Sequence, residues 1–249
     1  MRSLGEDLSA RMTTDATPPD GEIVSLPGGV KALFTGRAHG NLSSVGGEHA
    51  EEGLRSRESL RAAIGVQRLA RGYQVHGTVV CRVLSSQSIE EIHRDSERQP
   101  DFEADGHAVA IKGVAAMVLT ADCVPVVLGG EGAVAALHAG WRGLAGGVLE
   151  EGVRALREVG GAGELEAIVG PCAGACCYEV GEEVHRAFGS VHRVDRKIDL
   201  RAIAHERLLA AGVAEVRDME ACTICDERYF SYRREGASAG RQAGLAWLS

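Results

Sequence analysis

A chain of 249 residues with 45% hydrophobic content is long enough to bury a substantial core, so it is neither fibrous nor wholly disordered. Its formal net charge of −8 argues against a nucleic-acid surface, which needs clustered positive charge to meet the phosphate backbone, and points instead to small solutes as partners. No run approaches the roughly 20 apolar residues that cross a bilayer, and seven cysteines with no hydrophobic export signal favour free thiols in a reducing, cytoplasmic setting over a disulfide framework.

Residues 1–29 combine mixed charge, Pro18-Pro19 and few large apolar side chains, the composition of a flexible N-terminal extension. A first strand is expected from Lys31, followed by a polar, glycine-rich loop and a helix over 55–64 that buries Leu60 and Ile64 at i, i+4 spacing. Two short strand-like runs, 68–75 and 78–84, flank His76-Gly77 and put His76 at or beside a tight turn. On spacing alone, a histidine there is an exposed bystander. Residues 85–105 are polar, charge-rich and without periodicity, as in a surface excursion.

From Ala108 the pattern changes to short apolar runs, 108–111, 114–120, 124–128 and 133–138, which read as strands covered on both faces. A helix is expected over 144–159, with Leu144, Val148, Leu149, Val153 and Leu156 as its apolar stripe and Gly160-Gly161 ending it. A strand from Glu166, a turn through Gly170-Pro171-Cys172 and a helix over 182–188 follow. Asp199 is then the N-cap of a helix over 200–211, before a strand over 213–218 and a closing strand from Gly240. With no internal repeat and no linker after Gly29, residues 30–249 read as a single α+β domain whose helices cover a strand-rich centre.

The chemistry concentrates between Ala121 and Gly143. A hairpin turning at Gly130-Glu131 pairs Val127 with Val134 and places Cys123 directly across from His138, at the ~5 Å Cβ separation of opposed residues. That distance suits a shared metal ion or a thiolate-imidazole pair. Free cysteine is also among the most buried residue types, so a plain core role competes. Asp122 before the cysteine, Pro125 after it and the Gly140-Trp141-Arg142-Gly143 turn after the histidine favour a site. The helix start beyond Trp141, with Arg142, would favour an anion.

Two rival constellations are weaker. Cys172, Cys176 and Cys177 with Cys222 and Cys225 have spacings conceivable for a tetrathiolate zinc site, but nothing in the sequence brings the groups together, and inert thiols or an opportunistic disulfide are the stronger reading. A multicopper oxidase would need His-x-His pairs, and none of the nine histidines stands two residues from another. One mononuclear site remains, with donors suited to zinc or copper.

In order along the chain, Gly40-Asn41-Leu42-Ser43, Gln74-Val75-His76-Gly77, Thr120-Ala121-Asp122-Cys123-Val124-Pro125, His138-Ala139-Gly140-Trp141-Arg142-Gly143, Gly170-Pro171-Cys172, Tyr178-Glu179-Val180-Gly181, Cys222-Thr223, Phe230-Ser231-Tyr232-Arg233-Arg234 and Gly240-Arg241 resemble the YfiH/laccase-domain family, also called the polyphenol oxidase or peptidoglycan-editing-factor family. The resemblance implies a cytosolic single domain with a layered α-β-β-α fold and a metal site of two histidines and one cysteine, here His76, Cys123 and His138. It implies zinc, with copper as the alternative, and purine nucleosides with phosphate as partners. The implied reactions are phosphorolysis of adenosine, inosine or methylthioadenosine and deamination of adenosine. Asp122 would carry a proton, and Asn41, Arg57 and Arg142 would bind phosphate. This chain departs from the family at Gly46-Gly47, where Gly-Asp is usual, and at Ser56, where Asn usually precedes the arginine. The same three ligand residues would also serve a peptidoglycan-precursor hydrolase with Cys123 as nucleophile. The oligomeric state is not legible.

Overall fold

Alternate residues of the central apolar runs face different layers, and that alternation sets the architecture. The structure is a computed structural model, described for residues 21–43, 50–84 and 102–249. Five strands form one mixed sheet in the order β1 (Val24–Leu26), β2 (Val30–Phe34), β13 (Gln242–Leu248), β6 (Val114–Thr120) and β3 (Arg68–Ala70). Six form a second in the order β12 (Glu215–Asp218), β9 (Ala162–Val169), β7 (Val124–Glu131), β8 (Ala133–Ala139), β5 (Gly106–Val109) and β4 (Val80–Val83). A small pair, β10 (Arg193–Val194) and β11 (Lys197–Ile198), stands apart.

Ala116 and Val118 of β6 meet Val127 of β7 and Val134 and Ala136 of β8 between the sheets. The intervening Ala115 and Met117 turn outward to Leu60 of α1 (Ala50–Ile64). On the opposite side Val126, Leu128 and Leu137 pack under Leu144 of α2 (Trp141–Gly146), Leu149 and Leu156 of α3 (Val148–Glu158), Val184 of α4 (Glu182–Ala187) and Leu208 of α5 (Leu200–Ala210). A last short helix, α6, spans Tyr232–Glu235. The result is the α+β single domain expected, with layers in the order helix, sheet, sheet, helices. Each fully buried leucine contributes about 1.5–3 kcal/mol of burial. No helix among the described residues is long and apolar enough to cross a membrane.

Three local expectations change. The runs flanking His76 do not pair with each other: β3 lies parallel to β6 and β4 parallel to β5, in different sheets, so His76 sits in the passage from one sheet to the other. The helix expected over 144–159 begins at Trp141 and breaks at Gly147, whose φ of 98° only glycine adopts without strain. Residues 1–20 lie outside the described residues, but within the expected extension Val24–Leu26 pairs antiparallel with β2. Most of the expected 85–105 excursion and the Gly46-Gly47 departure also lie outside them. Asp199 does cap α5, its side chain accepting from Ala202 N at 3.0 Å.

Leu137 has no exposure, and its methyl groups fill the gap left by Gly152 on α3, where a Cβ would stand 2.2 Å from Leu137 Cδ1. Leu137→Ala is expected to cost about 2–5 kcal/mol, read as a lowered urea midpoint; an unchanged midpoint would show that α3 does not bear on β8 as described.

Candidate metal centre

The hairpin register puts the two central ligand candidates on one face without pairing them. Pro125, not Cys123, stands opposite His138, and Val124 stands opposite Ala139. The turn is Glu131-Gly132, one residue later than the sequence suggests, and Gly132 takes a positive φ of 80° there. Moving the turn by one residue moves each partner by two, which preserves the face because side chains alternate with period two. Cys123 is thus the diagonal neighbour of His138. His138 is in phase with Val134 and Ala136, so it stands at the end of the layer between the sheets.

His76 completes the set from the passage between the sheets. One ligand atom from each of His76, Cys123 and His138 lies within 4.8 Å of the others, and the two imidazoles meet edge-on with centroids 4.8 Å apart and planes at 71°. His76 has φ 61°, a left-handed conformation unusual outside glycine. Asp105 holds it there. Its carboxylate, with no exposure, accepts from the amides of Val75 at 3.2 Å, His76 at 2.9 Å and Gly77 at 2.8 Å, and Oδ1 also lies 2.7 Å from His138 Nδ1. Burial opposes the charge and is the largest single influence on Asp105, yet the His138 ring and the amides of Gly77 and Val75 together hold the carboxyl below its ordinary value. With Nδ1 turned to Asp105, the other ring nitrogen of His138 is left for Cys123.

Close approach requires glycine at the start of α2. A Cβ on Gly140 would stand 2.5 Å from His76 Cδ2 and 3.2 Å from Cys123 Sγ, and one on Gly143 2.6 Å from Gly77 O. The Gly140-Trp141-Arg142-Gly143 turn therefore closes the site by lacking side chains at two points. Burial again opposes charge on both inner ligands and is the largest influence, but His138 and His76 draw the Cys123 thiol down to about 6, while Cys123 and Asp105 hold His138 up at about 9. Without a metal, the pair is a thiolate and an imidazolium between those values. The donor set of one soft thiolate and two imidazoles, with a carboxylate orienting one ring, fits a zinc or copper ion.

Asp122, at φ 91°, accepts from Thr223 Oγ1 at 2.6 Å and from Arg233 N at 2.7 Å, one bond to each carboxylate oxygen. Tyr178 is half-buried, and Arg233 lies over its ring at 5.1 Å. Burial first, then the charges of Cys123 and Asp122, pushes its phenol up to about 12 against the opposing pull of Arg233 and Arg142. Arg142 is exposed and stacks on Trp141 at 4.2 Å. A basic, aromatic rim thus adjoins Cys123. Asn41 and Arg57 are buried: Asn41 Oδ1 accepts from Ser43 N and Arg241 N, each at 2.9 Å, and Arg57 Nη1 donates to Leu42 O at 2.7 Å, with burial lowering its pKa to about 10. Both brace the loop at 41–43.

Asp105, Tyr178 and Arg233 were not singled out by the sequence. The latter two stand inside quoted motifs, but Asp105 ends a polar stretch with no periodicity to mark it. The structure also brings together what the sequence left apart: Cys176, Cys177, Cys222 and Cys225 place their sulfurs within 4.8 Å, a set that can hold a metal ion.

Asp105→Asn keeps the shape but removes the charge facing His138, and is expected to weaken metal binding about 10–100-fold, measured by competition with a chromophoric chelator; equal affinity would mean that Asp105 only shapes the turn. In metal-free protein, peptide-resolved alkylation of Cys123 should rise with pH through a midpoint near 6, because the thiolate forms above its depressed pKa. A midpoint in the ordinary thiol range would contradict the ion pair.

A family model described as multi-copper polyphenol oxidoreductase laccase matches residues 27–249. A Xylella fastidiosa protein named purine nucleoside phosphorylase is 36% identical over 98% of this chain and 99% of its own length. A Shigella flexneri protein named purine nucleoside phosphorylase YfiH is 32% identical over 90% and 96%. The crystal structure of the Neisseria meningitidis protein NMB0706 superposes with a TM-score of 0.78 at 33% identity, covering 92% of this chain and 99% of that one. The chain therefore belongs to the multi-copper polyphenol oxidoreductase laccase family, together with the YfiH-type purine nucleoside phosphorylases.

Proposed function

We propose that this protein is a zinc-dependent purine nucleoside enzyme, catalysing phosphorolysis of adenosine, inosine or methylthioadenosine and deamination of adenosine, with His76, Cys123 and His138 as the metal ligands. The observation that carries the reading is the meeting of this three-residue donor set with a rim of Tyr178, Arg142 and Arg233. The near full-length similarity to proteins named purine nucleoside phosphorylase supports it. Zinc with three protein ligands and one open position supplies Lewis acidity and lowers the pKa of water.

The chain's own groups do the rest. Asp105 fixes the tautomer and orientation of His138 and keeps His76 in its left-handed turn. Tyr178 retains its proton at neutral pH, so its ring offers a face for a purine and its hydroxyl a donor. Arg142 and Arg233 offer guanidinium forks suited to phosphate. Asp122, with both oxygens engaged by Thr223 and Arg233, takes in this reading a positioning role in place of the proton-carrying one expected from the sequence. Asn41 and Arg57 support phosphate binding only through the loop they brace. Seven free cysteines suit a reducing cytoplasm.

One observation favours a second reading. A thiol drawn down to about 6 by an adjacent histidine is an activated nucleophile, as a cysteine hydrolase editing peptidoglycan precursors would need. Zinc-loaded protein incubated with each nucleoside and phosphate is expected to release free base and the ribose 1-phosphate product, and inosine from adenosine, by mass spectrometry. Cys123→Ala and His138→Ala should each lose turnover and the zinc held by His76, Cys123 and His138. Untouched nucleosides together with hydrolysis of a seryl-muramyl precursor would install the hydrolase reading instead.

A further inference from the structure

Outside the candidate centre, the densest group of reactive side chains is the four-cysteine cluster. Two chain segments build it. Gly170-Pro171-Cys172 continues β9 and pairs with the 221–223 segment through a parallel bridge between Cys172 and Cys222, with Thr223 N donating to Cys172 O at 3.0 Å. The chain then turns back through Cys176 and Cys177, and the opposite segment presents Cys222 and Cys225.

We propose that Cys176, Cys177, Cys222 and Cys225 hold a structural zinc ion that clamps the loop bearing Tyr178 to the loop bearing Thr223. Four sulfurs around one zinc at about 2.3 Å occupy all its positions, which is the closed arrangement of structural rather than catalytic sites. The tetrahedral sulfur-to-sulfur edge that this bond length implies, about 3.8 Å, lies within the 4.8 Å limit of the set, and Cys176 and Cys225 stand 3.5 Å apart. Cys177 and Cys225 stand 2.7 Å apart, inside that edge, so a bound ion would part this pair by about 1 Å. A single disulfide would engage two of the four sulfurs, whereas one zinc engages all four.

Two further observations point the same way. Cys222 Sγ accepts from Gly174 N at 3.2 Å, so a backbone donor of the opposite loop already meets a sulfur that would carry metal-bound charge. Cations surround the cluster at the backbone: Lys197 donates to Cys176 O at 2.7 Å, and Arg234 donates to Thr223 O at 2.8 Å and Ile224 O at 3.0 Å. They offset the net double negative charge of four thiolates on a divalent ion. Binding releases the thiol protons to solvent, with no change of oxidation state. Cys172 remains behind the cluster as a protonated core thiol, its pKa pushed up to about 11 chiefly by burial.

The consequence for the neighbouring centre follows from the loops held. Thr223 donates its hydroxyl hydrogen to Asp122, which precedes Cys123, and Tyr178 lies under Arg233, whose amide donates to the same carboxylate. The test is metal stoichiometry by elemental analysis and native mass spectrometry on wild type, Cys225→Ser, Cys123→Ala and the double variant. Cys225→Ser should carry one zinc fewer than wild type whether or not the His76/Cys123/His138 centre is loaded, and the double variant should carry none. Cobalt-substituted Cys123→Ala should retain the intense sulfur-to-cobalt charge-transfer absorption of a thiolate-rich site. That measurement decides the matter even where Cys225→Ser does not fold. Unchanged zinc in a folded Cys225→Ser, an absent charge-transfer band in cobalt-substituted Cys123→Ala, or a wild-type mass two hydrogens short with no zinc at this site would overturn the proposal.

Discussion

A buried carboxylate that accepts from three consecutive amides and an imidazole is constrained on every side, and in this protein that carboxylate is Asp105. The bonds are charge-assisted and shielded from water, so each counts for more than a neutral surface bond. They join the passage from β3 to β4 to the end of β8. Because β3 and β4 belong to different sheets, the passage between them could take many courses. The carboxylate selects one and places His76 against Cys123. The missing side chains of Gly140 and Gly143 give it room.

Much of the layered fold follows from periodicity that the sequence displays openly. The continuous apolar runs at 114–120, 124–128 and 133–138 mark strands covered on both faces, and the shared face of Cys123 and His138 survives although the hairpin turns one residue later, since that moves each partner by two. Asp199 is legible as a cap because capping is local. The break at Gly147 was harder to see: the apolar stripe runs through it unbroken, and only the positive φ divides α2 from α3.

The site was legible where its residues lie on one hairpin and illegible where tertiary structure recruits them. Cys123 and His138 share a hairpin, so register alone brings them near. His76 reached the set only through family resemblance, and Asp105 had no signal at all, because a carboxylate that binds backbone amides leaves no spacing pattern. The cysteine groups are the same lesson at greater range: the parallel bridge between Cys172 and Cys222 joins segments whose proximity no local rule encodes. Arg57 has a structural partner that its flank does not announce, since its guanidinium donates to the backbone of Leu42.

The three ligands of the candidate centre are graded in exposure, with His138 buried, Cys123 partly covered and His76 open to solvent. The grading gives the centre a front and a back. An ion held there would be anchored from the sheet edge and reached from the turn, so a competing chelator would meet His76 first and His138 last. Exchange of such an ion would depend on how often the 75–77 turn lets go of Asp105, whose carboxylate also holds His138 at the back. One carboxylate therefore links the open side of the centre to its buried side, and a change there would touch lability and strength together.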